Sequence, residues 1–215
     1  MADFEFYERD GKKYERITTI TDYFCPPELV DWKVKVGKKE SNRISRIALK
    51  FGSEVDERIR ANPLSPLKKK ADKAEVSNAL LGWDSWLKHY EPVEIVFPDT
   101  LYDDEKLVAG TPDFKWLDRA GKWTLTDIKT SREIRPSNIF QLGGYASMMS
   151  PRPDAVAILD LSKSLGMFEY LTNEKLGLSV DACINAFNEC YLHYKIYHYL
   201  QSRMKPNRAW PEEGE

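Results

Sequence analysis

The chain has 215 residues, of which 42% are hydrophobic and 31% charged, and its formal net charge is −2. Those values suit one soluble domain with a sizeable core and argue against a module that coats nucleic acid through bulk positive charge. No apolar run is long enough to span a membrane, the start lacks the pattern of a signal peptide, and Cys25, Cys183 and Cys190 are too scattered for a disulfide framework, so a reducing, cytoplasmic setting is expected.

Asp10-Gly11 is a hairpin turn signal between residues 4–7 and 14–20, both read as strands. Residues 26–32 read as a helix that packs on the core. Ser41 is placed to cap a helix running to about Ala61, with Ile44, Ile47, Phe51, Val55 and Ile59 on its buried side. Gly52, inside that helix, costs about 1 kcal/mol relative to Ala, which points to close packing or close approach of a ligand. Asp56 shares the face of Gly52. It can ligate a hard cation, with Glu57 as a rival, or it is an exposed residue on a charged helix face.

Pro63 and Pro66 end that helix. Lys68, Lys69 and Lys70 then form a basic run, either a phosphate contact or a solvated loop. Residues 72–90 read as a helix with Val76, Ala79, Leu80, Trp83, Leu87 and Tyr90 on one stripe. Trp83 reads as core, while Trp86 is open to stacking on bases. Residues 93–97 read as a short strand with Glu94 facing outward, and residues 102–106 as a polar loop.

Chemistry concentrates in Gly110-Thr111-Pro112-Asp113-Phe114 and Thr126-Asp127-Ile128-Lys129-Thr130. Asp118-Arg119-Ala120-Gly121 between them is a turn signal, so residues 107–116 and 123–130 read as a hairpin. Folding about Ala120 sets Asp113 nearly opposite Asp127, roughly 5 Å apart at Cβ. Two carboxylates that close repel unless a proton or a cation separates them. Lys129 points to the same face as Asp127, and Ile128 to the other, apolar face. The cluster suits Mg²⁺, which uses one or two carboxylates, keeps several waters and takes phosphate oxygens. A surface hairpin with a cross-strand ion pair is the plain alternative.

Ser137 is placed to cap a helix that carries Gln141 and Tyr145 on one face, with the helix-weakening pair Gly143-Gly144 between them. Arg132 and Arg135, just before it, are candidates for a phosphate clamp. Residues 155–161 read as a buried central strand and residues 168–171 as its neighbour. Residues 179–204 read as a long helix with Ala182, Ala186, Cys190, His193, Tyr194 and Tyr197 near one side. Residues 205–215 read as a polar tail that frays.

In their order and spacing, Asp113, the triplet Asp127-Ile128-Lys129, and Gln141 with Tyr145 resemble the PD-(D/E)XK nuclease superfamily, in its RecB-like, phage-type exonuclease branch. That family carries an acidic residue ending one strand, a D/E-x-K on the next, and a Q-x-x-x-Y on the following helix. The resemblance implies an α/β fold with a restriction-endonuclease-like core, a central mixed sheet flanked by helices. It implies one domain over residues 1–215, with residues 1–40 as an N-terminal extension.

The same resemblance implies a DNA exonuclease of phage or bacterial recombination or repair type, dependent on Mg²⁺ or Mn²⁺. Asp113, Asp127, the Ile128 carbonyl and Asp56 would hold the metal. Lys129 would act on the water and the transition state, Gln141 and Tyr145 would frame the site, and Arg132, Arg135, Lys68, Lys69 and Lys70 would touch DNA. The family often has G-x-x-x-H in its first helix, whereas here Gly52 leads to Asp56. Related chains often carry a Glu where Glu94 stands, as a supporting or ligand carboxylate. Relatives with an iron–sulfur cluster use one early and three late cysteines, and this chain lacks the third late one, so no cluster is expected. DNA is the expected partner, with a single-strand-binding or annealing protein as a second. An endonuclease with the same site and a non-catalytic DNA-binding or assembly module are the alternatives.

Overall fold

The computed structural model describes residues 6–24, 27–66, 73–130 and 134–204. An antiparallel hairpin comes first, β1 (Phe6–Arg9) and β2 (Lys12–Arg16), with Asp10 and Gly11 at φ of 51° and 73°. A two-residue turn that matches strand twist needs positive φ at both positions, and Gly meets that need without strain. The expected second strand stops at Arg16. Ile17–Asp22 is instead a short helix, α1, because Ile17, Ile20 and Thr21 recur at helical spacing and are all buried.

Three helices follow: α2 (Pro27–Val36), α3 (Lys38–Ala61) and α4 (Ala74–Tyr90). Ser41 lies inside α3 and not at its cap, with its hydroxyl returned to the Lys38 carbonyl at 3.1 Å. Phe51, Val55 and Ile59 are buried as expected, but Ile44 and Ile47 are 36% and 56% exposed. The apolar stripe of α3 thus continues past the elements that cover it.

The chain then alternates through β3 (Glu94–Val96), β4 (Leu101–Asp103), β5 (Val108–Gly110), β6 (Phe114–Leu117), β7 (Trp123–Lys129), α5 (Pro136–Met148), β8 (Ala155–Leu161), β9 (Phe168–Thr172) and α6 (Val180–Arg203). The stretch read as a polar loop includes β4. The strand expected over residues 107–116 is broken in two. Pro112 has no N–H to continue a ladder, so β5 pairs in one sheet and β6 in the other.

Both sheets are mixed. One has the order β1-β2-β5-β4, with β2 and β5 parallel. The other has the order β3-β6-β7-β8-β9, with β7 and β8 parallel and the remaining pairs antiparallel. Parallel neighbours need a crossover, and α5 supplies it between β7 and β8.

Alternation along β8 splits the core into two layers. Val156 and Ile158, with Leu125 of β7, pack on α1, α5 and α6. Ala157, Leu159 and Leu161 face α3 and α4 with Phe114 and Trp116. Trp86 is fully buried, stacked 5.0 Å from Trp83 and edge-on to Phe114, so it is a core residue and not a base-stacking one. Fully burying such apolar side chains contributes about 1.5–3 kcal/mol each.

Ser179 caps α6, its hydroxyl accepting from the Ala182 amide. The buried stripe of α6 is Cys183, Ile184, Phe187, Cys190 and Tyr194, rotated from the one expected through Ala182 and Ala186. Cys183 and Cys190 are free thiols within the apolar layer, and burial pushes both above the ordinary thiol range.

Candidate active site

The β6–β7 register pairs Phe114 with Thr126, so Asp113, one step before β6, stands opposite Asp127. By the same count Pro112 faces Ile128. Ile128 lies beyond the last β6–β7 pair, and Asp113 Oδ2 accepts from its amide at 2.6 Å. That bond fixes one carboxylate beside the other.

Asp127 is 2% exposed. Its Oδ1 accepts from Gln141 Nε2 at 3.1 Å. Its Oδ2 lies 2.6 Å from Lys129 Nζ, a charge contact without the angles of a hydrogen bond. Gln141 faces both partners at once, because its Oε1 accepts from Lys129 Nζ at 3.2 Å. Its Nε2 also donates to the Tyr145 hydroxyl at 2.9 Å. The amide is thus held in the orientation that suits an anion on one side and a cation on the other.

Burial, and then the neighbouring Asp127 charge, push the Asp113 carboxyl up to about 8. Burial pulls the Lys129 ammonium down, but Asp127, Asp113 and Asp22 outweigh it and hold the ammonium above its ordinary value. Burial and Asp127 together push the Tyr145 phenol well above its ordinary value. Two crowded carboxylates, one of them resisting ionisation, are the electrostatic mark of a place where a cation would be stabilising.

Arg60 was not singled out from sequence, yet its Nε bonds both Asp56 oxygens at 2.8 and 2.9 Å. Its second guanidinium nitrogen donates to the Asp113 carbonyl at 3.0 Å and the Pro112 carbonyl at 3.4 Å. Asp56 therefore reaches the site through Arg60. The signal for Arg60 was its place four residues after Asp56 on one helix face. Asp22, at the end of α1, was also missed. It lies within electrostatic reach of Lys129 and Arg135, and burial raises its carboxyl. Only the folded arrangement brings it there.

Glycines set two close approaches. A Cβ on Gly110 would stand 2.5 Å from Tyr145 Cε1, so Gly110 lets that ring lie against β5. A Cβ on Gly143 would stand 2.0 Å from the Cys183 carbonyl, and one on Gly144 would stand 3.0 Å from the Phe187 ring. The Gly143-Gly144 pair therefore serves the packing of α5 on α6. Ser137 is not the cap of α5. Arg135 stands at that position, with its amide bonded to Asn138 Oδ1 at 2.8 Å.

Glu57 is exposed and borders a separate cavity with Glu54 and Arg58. Glu94 is exposed on β3 opposite Leu117, at the far end of β6 from Asp113. Lys68, Lys69, Lys70, Arg132 and Cys25 lie outside the described residues. Among the described residues, no group of three or more His, Cys, Asp and Glu side chains is gathered to hold a metal ion, and no helix is long and apolar enough to cross a membrane. Asp113 and Asp127 do offer the hard oxygen donors that Mg²⁺ takes with water completing its shell. Asp127 Oδ2 is a buried oxygen without a hydrogen-bond partner. The residues present fit such a cation.

No protein-family model and no curated protein matches the chain. Among solved structures, the crystal structure of SSO0001 is similar over 73% of this chain and 83% of that one, at 16% identity and a TM-score of 0.31.

Proposed function

We propose that the chain is a Mg²⁺- or Mn²⁺-dependent deoxyribonuclease of the PD-(D/E)XK type, acting as an exonuclease on DNA ends. The observation that carries this reading is the buried Asp127 held between Lys129 and Gln141, directly across the strands from Asp113. The order of these residues along the chain, and the helix that returns Gln141 and Tyr145 to them, support the nuclease-like core implied by the sequence.

Asp113 and Asp127 would hold the cation, with Asp56 and the Ile128 carbonyl as further oxygen donors. A bound cation supplies Lewis acidity at a phosphoryl oxygen and acidifies water. In hydrolysis the water oxygen bonds to phosphorus, one ester P–O bond breaks, and the leaving oxygen takes a proton. Lys129 presents a fixed ammonium, kept protonated by the surrounding carboxylates, to the negative charge that develops on the phosphoryl oxygens. Gln141 fixes where that ammonium sits, and Tyr145 fixes Gln141. Arg135, at the start of α5, would meet the next phosphate.

The test is digestion of end-labelled linear and closed-circular DNA, single- and double-stranded, with Mg²⁺, Mn²⁺ or EDTA. Metal-dependent loss of linear DNA alone, abolished by Lys129→Ala, is expected. Cutting of circles would assign an endonuclease. Metal-independent binding with no turnover would assign a DNA-binding or assembly module, a reading favoured by the engagement of Asp56 with Arg60.

A further inference from the structure

Charge is unevenly spread along this chain. Between Lys33 and Lys50 it carries seven basic residues and one acidic residue, Glu40, although the whole protein stands at −2. That segment is the end of α2 and the first half of α3. Every residue from Asn42 to Lys50 is exposed, so this half of α3 projects beyond the layers that bury Phe51, Val55 and Ile59.

Lys39, Arg43, Arg46 and Lys50 recur at three- and four-residue spacing and share the side of α3 that faces away from the core. They border a cavity of about 910 Å³ in the elbow between α2 and α3, together with Lys38 and Asn42. Glu40 holds Arg43 at 2.7 Å. Among the described residues, no carboxylate pairs with Lys38, Lys39, Arg46 or Lys50. Like charges kept close without counter-charges destabilise the fold that holds them, and an anion relieves that cost.

The same helix reaches the candidate site. A Cβ on Gly52 would stand 3.6 Å from Thr130 Oγ1, next to Lys129, and Asp56 and Arg60 follow one and two turns later. From Lys39 to Lys50 the helix rises about 16 Å, which matches roughly five base steps of one strand. We infer that the α2–α3 arm is a phosphate-backbone track that guides DNA toward Lys129. This rests on the nuclease reading for its direction, and not for the binding itself. Contacts of this kind are indifferent to sequence and sensitive to salt.

The experiment measures fluorescence anisotropy of labelled 20-nucleotide single- and double-stranded DNA in EDTA, between 50 and 200 mM KCl. The wild-type protein is compared with Lys39→Gln/Arg46→Gln/Lys50→Gln. Circular dichroism confirms that the variant keeps its helix content. Three lost phosphate contacts should weaken binding about 10- to 100-fold near 0.1 M salt and lower the slope of log K against log salt by about two to three. The stronger binder of the two DNAs identifies the form the track takes. Unchanged affinity and slope overturn the inference, as does a wild type that binds neither DNA at 50 mM salt. Tighter capture of wild type by vesicles of equal phosphatidylcholine and phosphatidylglycerol than by DNA also overturns it. Hydrolysis of thymidine 5′-p-nitrophenyl phosphate by wild type, with Mn²⁺, tests the nuclease reading separately. Its failure would leave the binding result standing.

Discussion

The Lys129 ammonium sits 2.6 Å from Asp127 Oδ2, two positions away on the same strand, inside a site where that carboxylate is almost wholly buried. Alternation along β7 puts both side chains on the face covered by α5, so the contact is imposed by the strand itself.

Replacing Lys129 with Ala leaves two opposed carboxylates without their cation. The expected outcome is a loss of about 10²- to 10³-fold in kcat on DNA. Stability in EDTA should fall by about 2 kcal/mol, less than for a fully buried pair because Lys129 keeps some solvent contact. Adding Mg²⁺ should restore most of that stability and none of the rate. Urea unfolding with and without Mg²⁺, beside single-turnover cleavage, reads both. A variant that retains full rate would remove Lys129 from the chemistry.

Gln141→Leu keeps the volume but removes the amide between Lys129 and Asp127. Groups that orient ligands in this way are worth about 10- to 100-fold in metal affinity or activity. The Mg²⁺ concentration for half-maximal cleavage should rise accordingly. A titration superimposable on wild type would show that Lys129 and Asp127 hold their places without it.

The two ways a helix uses glycine give opposite expectations. Gly143→Ala drives a methyl into the Cys183 carbonyl and should cost about 3 kcal/mol as α5 and α6 separate. Gly52→Ala meets only Thr130 Oγ1 at ordinary contact distance, so helix propensity should win and stabilise by about 0.5–1 kcal/mol. Denaturant midpoints decide both.

The pH dependence follows from Asp113. Its folded carboxyl is raised from 3.8 to about 8, so between those values the native state holds a proton that the unfolded chain has released. Unfolding free energy in EDTA should therefore fall as pH rises through that window. A cation that binds the ionised pair should flatten that slope and release a proton on binding. Thermal melts across pH 5–8, with EDTA or Mg²⁺, test the sign. An EDTA slope that rises with pH would show that Asp113 is ionised throughout.

Much of this arrangement was legible before folding. The spacing about Ala120 placed Asp113 opposite Asp127, because hairpin register is fixed by arithmetic. The Gln141–Tyr145 pair followed from helical spacing. What the sequence concealed depends on approach between distant segments. Nothing near Gly143 names Cys183 as its neighbour, so in the sequence the glycine pair shows only as a weak point in the helix, whereas its role is steric. Trp86 looked available for stacking because its cover of Phe114, Trp116 and Tyr170 comes from other elements. Ile47 looked buried because its stripe is continuous, and only the finite length of the neighbouring layers exposes it.

Arg60 is the residue that joins α3 to the strand bearing Asp113, and it separates two roles for Asp56. If Asp56 serves only to hold Arg60, then Asp56→Asn and Arg60→Gln should be equivalent, and the double variant should add nothing to either. The expected result differs. Asp56 is a carboxylate that can add an oxygen donor beside Asp113 and Asp127, whereas Arg60 is a cation that opposes metal binding. Asp56→Asn should raise the Mg²⁺ requirement about tenfold, and Arg60→Gln should raise it less, because lost positioning is partly offset by removal of a positive charge. In stability the two should couple by about 0.5–1 kcal/mol, as a half-exposed helical ion pair does. Isothermal titration with Mg²⁺ and a double-mutant cycle in urea measure these separately. Equal shifts in metal affinity for both single variants would confine Asp56 to holding Arg60 and leave Asp113 and Asp127 as the cation's carboxylates.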